Sequence, residues 1–286
     1  MSRPVKAITV FSHDRVEDVA RPLRRVLELA RETGTQVRLP QREVEKHGVE
    51  PQDGVVLGAE PGLDTDLALV LGGDGTILST LRLFSGRNVP VFAVNFGAIG
   101  FLATVEPWEL EDGARRALSG EFDVLSLPAL SAAGVEGDEI AFNDISFHRR
   151  PNGRVAELAY SVEGEQLGEV RCDGLVVSTP AGSTGYNLAN GGPVLAWGVE
   201  GYVVSFIAPH TLTARALVVA PDDLLEVTNR SPQEELDVTT DGRSAHALAP
   251  GATIPIRFEH RRALLAQAPG ATFYHRLRDK FGRLSY

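Results

Sequence analysis

The chain has 286 residues, 43% of them apolar and 23% charged, and carries a formal net charge of −10. That is the composition of an ordinary folded protein with a substantial core, and it excludes a disordered or fibrous chain. An acidic balance disfavours non-specific binding to nucleic acid or to an anionic membrane surface, and no run approaches the roughly 20 apolar residues needed to span a bilayer.

One cysteine, Cys172, rules out a disulfide framework and a cysteine-based metal site, and it suits a reducing compartment. The first residues lack the apolar core of a signal peptide, so the expected location is the cytoplasm. Lysine occurs only at Lys6, Lys46 and Lys280. Any anion must therefore be met by arginine, by backbone N–H groups or by a bound cation. Neither a GxxxxGK[ST] phosphate loop nor a GxGxxG fingerprint is present.

In chain order, residues 5–11 read as a first strand. Residues 16–30 carry Val16, Val19, Leu23, Val26, Leu27 and Ala30 as a helical stripe that stops before Gly34. Pro22 lies inside that stripe, so the helix either kinks there or begins near Arg21. A short strand is expected at 36–39, and 40–64 reads as loop and short helix. Residues 67–71 form an unbroken apolar run bounded by glycine, which fits a strand buried on both faces. The chain then turns through Gly72-Gly73-Asp74-Gly75 into a helix marked by Thr76, Ile77, Leu78, Leu81, Leu83 and Phe84.

A glycine turn of this kind brings bare backbone amides up to a ligand and favours phosphate oxygens. Asp74 repels such a ligand unless it binds a metal or takes a proton from the attacking group; the alternative is a solvated loop residue. Residues 89–94 form a further strand, followed by Asn95-Phe96-Gly97-Ala98-Ile99-Gly100-Phe101-Leu102, and 107–118 reads as a helix stopped by Gly120. Alternating strands and helices imply a parallel sheet, on which ligands gather at the C-terminal strand ends, so both glycine loops share one edge.

Beyond Gly120 the pattern changes to short β-type runs at 156–162, 170–178, 202–208, 217–220, 224–227, 236–240 and 254–258. The expected architecture is an α/β N-terminal domain with a parallel sheet at 1–120, and a mostly β domain at 121–269. The helical spacing at 273–281 is expected to return to the first domain, so that 270–286 joins it. Within the β half, Asp173 leads a strand into Ser178-Thr179-Pro180-Ala181-Gly182-Ser183-Thr184-Gly185-Tyr186, where Ser183 could cap a short helix and Tyr186 could stack on a base.

Two other readings of that stretch stay open: a plain helix entry, or a hydrolase elbow around Ser183 with Asp222, Asp241, His246 or His260 as partners. Asn143-Asp144 reads as a strand pair with side chains on opposite faces, and Asp241-Gly242 as a turn between strands. The histidines show no metal-ligand spacing, which argues against zinc.

Together these stretches resemble the NAD kinase family. The resemblance lies in GGDGT at 72–76, NxGxxGFL at 95–102, the Asn-acid pair Asn143-Asp144, and DGxxxSTPxGSTxY at 173–186 with Gly191-Gly192-Pro193. Asp241-Gly242 completes the order. It implies transfer of the terminal phosphoryl group of ATP, or of polyphosphate, to the 2′-hydroxyl of the adenosine ribose of NAD. The implied site lies between the two domains, and dimers or tetramers are expected, with NAD and ATP as ligands and neither nucleic acid nor membrane as partner.

The resemblance further implies Asp74 as general base, also able to touch Mg²⁺. Gly72, Gly73, Gly75, Thr76, Asn95, Gly97 and Phe101 are implied around the donor and dinucleotide, and Asn143 and Asp144 on the ribose hydroxyls. Asp173, Ser183, Thr184, Gly185, Tyr186 and Asp241 are implied around the rest of the dinucleotide. The departures are Asp144 where glutamate is usual, and Ala98, Ala181 and Gly185 where other residues are common. A lipid kinase of the diacylglycerol or sphingosine type, whose loops resemble GGDGT, and a non-catalytic NAD(P) sensor are the alternatives.

Overall fold

The computed structural model describes residues 4–62, 64–97, 100–132, 139–151 and 153–282. The chain divides into two compact units: Met1–Ser126 with Arg262–Tyr286, and Leu127–Arg261.

In the first unit the elements run β1 (Ala7–Ser12), α1 (Val16–Thr33), β2 (Gln36–Leu39), α2 (Gln41–His47), β3 (Val55–Leu57), β4 (Leu67–Gly72), α3 (Asp74–Leu83), β5 (Pro90–Asn95) and α4 (Leu110–Ser119). The strands form a parallel sheet in the order β5-β4-β1-β2-β3. Side-chain alternation explains why it takes helices on both faces. Ile8, Val10, Leu69, Leu71, Phe92 and Val94 share a core with α1 and α4. Phe11 points the other way and meets Phe84, at the end of α3, edge to face.

All six residues of β4 are buried, as an apolar run bounded by glycine predicts. The stripe of α1 is longer than predicted and begins at Val16, not near Arg21, with Pro22 inside it. Proline there removes the amide that would reach the Asp18 carbonyl, and Asp18 is exposed, so water can take its place. The C-cap is Gly34 at φ 70°, a left-handed position that glycine adopts without strain.

The strand β6 (Asp123–Ala132) leads into the second unit. That unit contains β7 (Glu139–Ala141), β8 (Asp144–Arg149), β9 (Ala156–Val162), β10 (Glu165–Cys172) and β11 (Gly174–Ser178), then a short helix α5 (Tyr186–Ala189). It continues with β12 (Tyr202–Ile207), β13 (Leu217–Val219), β14 (Leu225–Asn229), β15 (Leu236–Thr240) and β16 (Arg243–Leu248). One antiparallel sheet runs β13-β12-β11-β8-β15-β16. Another places β9 between β10 and β14, and β14 pairs with the beginning of β17 (Thr253–Gln267). Both sheets contribute to one apolar core, with Ile145, Phe147, Val177 and Val238 from the first and Leu158, Leu225 and Ile256 from the second. This is a β-sandwich.

The end of β17 belongs to the first unit, where Leu264 and Leu265 pair in parallel with Pro90 and Val91 of β5. There α6 (Phe273–Phe281) also packs, with Phe273 against Phe101, so the last helix does return to the α/β unit. The expected single run at 170–178 is two strands. The chain changes sheets at Asp173 and Gly174, where a Cβ on Gly174 would lie 2.1 Å from the Phe147 carbonyl oxygen. Asn143 is not in a strand: it occupies the bend between β7 and β8, and only Asp144 begins β8.

Candidate functional site

In the first unit the site begins where β4 ends. Gly72 closes the strand, Gly73 is the N-cap of α3, and Asp74 is its first residue. The two glycine loops lie back to back, for a Cβ on Gly97 would come within 2.8 Å of the Gly73 Cα, and one on Gly73 within 3.0 Å of the Gly97 Cα. A Cβ on Gly72 would meet the Thr76 hydroxyl at 2.7 Å. Only glycine allows this approach. Asn95 ends β5, and its buried side chain accepts from the Gly97 amide at 3.0 Å and donates to Glu106 at 3.2 Å. Asn95 therefore holds the second loop. Ala98 lies outside the described residues, so its departure from the family pattern has no structural reading.

The Asp74 carboxylate accepts from the Phe101 amide, at 3.2 and 3.0 Å to its two oxygens, and from the Leu102 amide at 3.2 Å. Burial raises its pKa, while these amides and the positive charges of Arg276 and Lys280 act the other way. Arg276, buried on α6, donates to the Phe101 carbonyl, and burial lowers its own pKa to about 10. Lys280 pairs with Glu106 at 2.8 Å. The sequence reading missed Arg276 and Lys280. Their available signal was the scarcity of lysine together with a basic last helix.

A cavity of about 510 Å³ opens beside the first loop, lined by Ser12, Arg42, Gly73, Gly75, Thr76 and Ser79 among others. A second, of about 530 Å³, adjoins Asn95, Gly97 and the exposed Trp108.

In the second unit the site is built around a bend. Asp241 and Gly242 form the turn between β15 and β16 with φ of 48° and 71°, the two left-handed residues of a tight hairpin. The Asp241 carboxylate accepts from the amides of Phe142 (3.1 Å), Asn143 (2.7 Å) and Asp144 (3.2 Å). On the other side, the Thr179 amide and the Ser178 hydroxyl donate to the Asn143 carbonyl, and the Thr179 hydroxyl donates to the Phe142 carbonyl. Gly182 abuts the same backbone, since a Cβ there would lie 2.1 Å from the Asn143 oxygen.

The Asn143 backbone is thus fully engaged, whereas its half-buried side chain makes no hydrogen bond among the described residues. The buried Asp144 carboxyl has no hydrogen-bond partner among them either. Burial first, and the Asp241 charge second, push its pKa up to about 7.

The other expected residues differ in what they offer. The Ser183 hydroxyl is buried and spent on the backbone of Pro180 and Leu195, so it neither caps α5, whose N-cap is Gly185, nor meets a histidine as a nucleophile would. His260 lies instead near Glu200 and Asp222. Thr184 bonds the Ala181 carbonyl at 3.3 Å. The half-exposed Tyr186 ring stacks on His148 with centroids 5.7 Å apart and planes 16° off parallel, leaving one face for a ligand. Asp173 is half exposed and paired with Arg149 at 2.5 Å.

Two back-to-back glycine loops with an amide-held carboxylate, and in the same chain a β-sandwich presenting an uncommitted amide and carboxyl, define a nucleotide-handling phosphotransferase of two units. Family models agree. The ATP-NAD kinase N-terminal domain matches residues 7–122 and the ATP-NAD kinase C-terminal domain residues 142–267. The NAD kinase of Gemmatimonas aurantiaca is 39% identical over 225 residues, covering 76% of this chain and 77% of that one. That of Geotalea daltonii is 35% identical over 221 residues, covering 75% and 78%.

Among solved structures, an NAD kinase from Archaeoglobus fulgidus in complex with ATP superposes with a TM-score of 0.74 at 26% identity, covering 96% of this chain and 97% of that one. Yeast NADH kinase complexed with NADH superposes with a TM-score of 0.84 at 22% identity, covering 99% and 91%, and speaks for the fold alone. The chain belongs to the NAD kinase family, a family of phosphotransferases. Among the described residues no helix is long and apolar enough to cross a membrane.

Proposed function

We propose that the chain transfers the terminal phosphoryl group of ATP to the 2′-hydroxyl of the adenosine ribose of NAD, giving NADP, and that Asp74 takes the hydroxyl proton. The observation that carries the reading is the Asp74 carboxylate, held by two amides at the meeting point of the glycine loops and made more basic by burial. Phosphoryl transfer asks a protein mainly for positioning and charge neutralisation, and the residues divide along those lines. The first unit supplies the base and, in the cavity lined by Gly73, Gly75 and Thr76, room for the donor phosphates.

The second unit supplies the acceptor's holders. Asn143, its backbone clamped and its amide uncommitted, binds a ribose hydroxyl. Asp144 accepts from another, gaining the partner that its buried carboxyl lacks. Tyr186 offers its free face to the base, and Thr184 and Asp173 line the remainder. Asp241 acts through the backbone of the bend, and Ser183 through the shape of its loop.

Among the described residues no cluster of three acidic, histidine or cysteine side chains could cage a metal. The set fits Mg²⁺ carried on donor phosphates, which needs only one or two carboxylates, and Asp74, between the cavity-lining Gly73 and Gly75, would hold it. Such an ion supplies charge neutralisation. We place the enzyme in the cytoplasm as a homo-oligomer, with polyphosphate as the alternative donor by family resemblance.

The test is a coupled assay for NADP with Mg²⁺ and ATP, run in parallel with polyphosphate. Formation of NADP supports the reading. Tight NAD binding without turnover overturns it in favour of a sensor, and phosphorylation of diacylglycerol or sphingosine in favour of a lipid kinase.

A further inference from the structure

The cavity beside the first glycine loop is lined by Asp14 and Glu43 as well as by glycine amides, so a polyanionic ligand entering it needs a cation. Arg42 is the one permanently charged cation among the described lining residues. Glu43 is already neutralised: it is buried, accepts from the Ser12 hydroxyl at 2.5 Å and binds Lys46 at 2.9 Å. Lys46 also donates to the Ser12 carbonyl at 2.8 Å, and the His47 ring bonds the Ser12 hydroxyl at 2.7 Å. These contacts pin the inner face of α2 to the end of β1. Arg42 is therefore carried on a fixed helix while its own side chain stays exposed.

The present partner of Arg42 is Asp14, at 2.8 Å, with both side chains about three-quarters exposed. An ion pair so open to water holds weakly. A phosphate chain offers the guanidinium a bidentate partner of higher charge.

We propose that Arg42 clamps the phosphate chain of the donor, exchanging Asp14 for the terminal phosphoryl oxygens when a nucleoside triphosphate enters the cavity, with Asp14 as its resting partner. This rests on the reading of the cavity as the donor site. It also answers the near absence of lysine, since a guanidinium borne by α2 takes the place of a phosphate-binding ammonium. Because the clamp grips phosphate and not the base, it serves polyphosphate as well as ATP.

Steady-state kinetics on the purified enzyme with Arg42→Ala, Arg42→Lys and Asp14→Asn test the assignment. In Arg42→Ala, KM for ATP rises about tenfold or more, as loss of charge-assisted hydrogen bonds predicts. KM for NAD and the melting temperature stay at their wild-type values. Arg42→Lys restores part of the loss, and Asp14→Asn leaves KM for ATP equal or lower. An unchanged KM for ATP in Arg42→Ala, or equal rises for ATP and NAD, overturns the clamp. Calorimetric titration with ADP and with a non-hydrolysable triphosphate separates the two readings. Arg42-dependent binding by a wild type that makes no NADP sinks the proposed activity and keeps the clamp, whereas normal turnover with Arg42-independent binding sinks the clamp alone.

Discussion

Replacing Asp144 by asparagine preserves the shape of the bend and removes one buried charge, so it isolates the electrostatic strain of the Asn143–Asp144 pair. The Asp144 carboxyl is displaced from 3.8 to about 7 because it is buried without a hydrogen-bond partner and faces Asp241. The folded chain therefore holds this proton more tightly than the unfolded chain does. Below the unfolded value both states are protonated, and the carboxyl costs nothing. As the pH climbs from about 4 to 7 the penalty grows, and above 7 it is fully present. Roughly three pK units at about 1.4 kcal/mol each give a ceiling of about 4 kcal/mol.

Asp144→Asn should accordingly match the wild type near pH 4 and exceed it at pH 8, where a unit of this size gains about 2–4 °C per kcal/mol, or roughly 10 °C. Differential scanning calorimetry of both proteins from pH 4.5 to 8 at fixed ionic strength measures the divergence. A stability difference that does not change with pH, or a wild type that is the more stable at pH 8, refutes the picture of a strained buried carboxylate. Turnover moves the opposite way: the stabler variant keeps one acceptor oxygen but loses the carboxylate charge, and it binds NAD less well.

Asp74→Asn should lower NADP formation by roughly 10²–10⁴-fold, the usual contribution of a positioned base, with an intact melting transition; turnover within tenfold of wild type rejects the role. Gly97→Ala forces a Cβ against the backbone of Gly73 and should cost roughly 1–3 kcal/mol in urea denaturation, whereas Gly75→Ala, where a Cβ meets nothing within 4 Å, should cost none. Asn143→Ala should raise KM for NAD while leaving KM for ATP unchanged, and unchanged kinetics remove Asn143 from the site. Asp241→Ala frees three backbone amides and should cost about 2–4 kcal/mol while abolishing NAD binding. Isothermal titration with NAD and the denaturation midpoint report both effects.

What the sequence disclosed follows from where local chemistry and tertiary context agree. The turn from β4 into α3 was legible because a doubly buried strand must be wholly apolar and a close turn must be glycine. Helix α2 was legible only as a short helix somewhere in 40–64, because the residue it buries is Glu43, so it carries no apolar stripe to fix its bounds. Strand β10 buries only Val170 and Cys172, which hides its alternation, and the far half of β17 is interrupted by His260, Arg261 and Arg262, with Arg261 at φ 50°. Asp74 could be singled out as a carboxylate among glycines. Its tie to Phe101, and Arg276 on the carbonyl of the same residue, join stretches remote in sequence and leave no periodic trace. Asp241 showed itself as an Asp-Gly turn, but that its carboxylate grips three amides of a distant bend could be read only from coordinates.

The α/β unit is assembled from both ends of the chain, whereas Leu127–Arg261 is one unbroken stretch. The strand beside β5 and the helix that steadies Phe101 follow the sandwich in sequence, so the parts that set Asp74 in place are complete only after Leu127–Arg261 has been made.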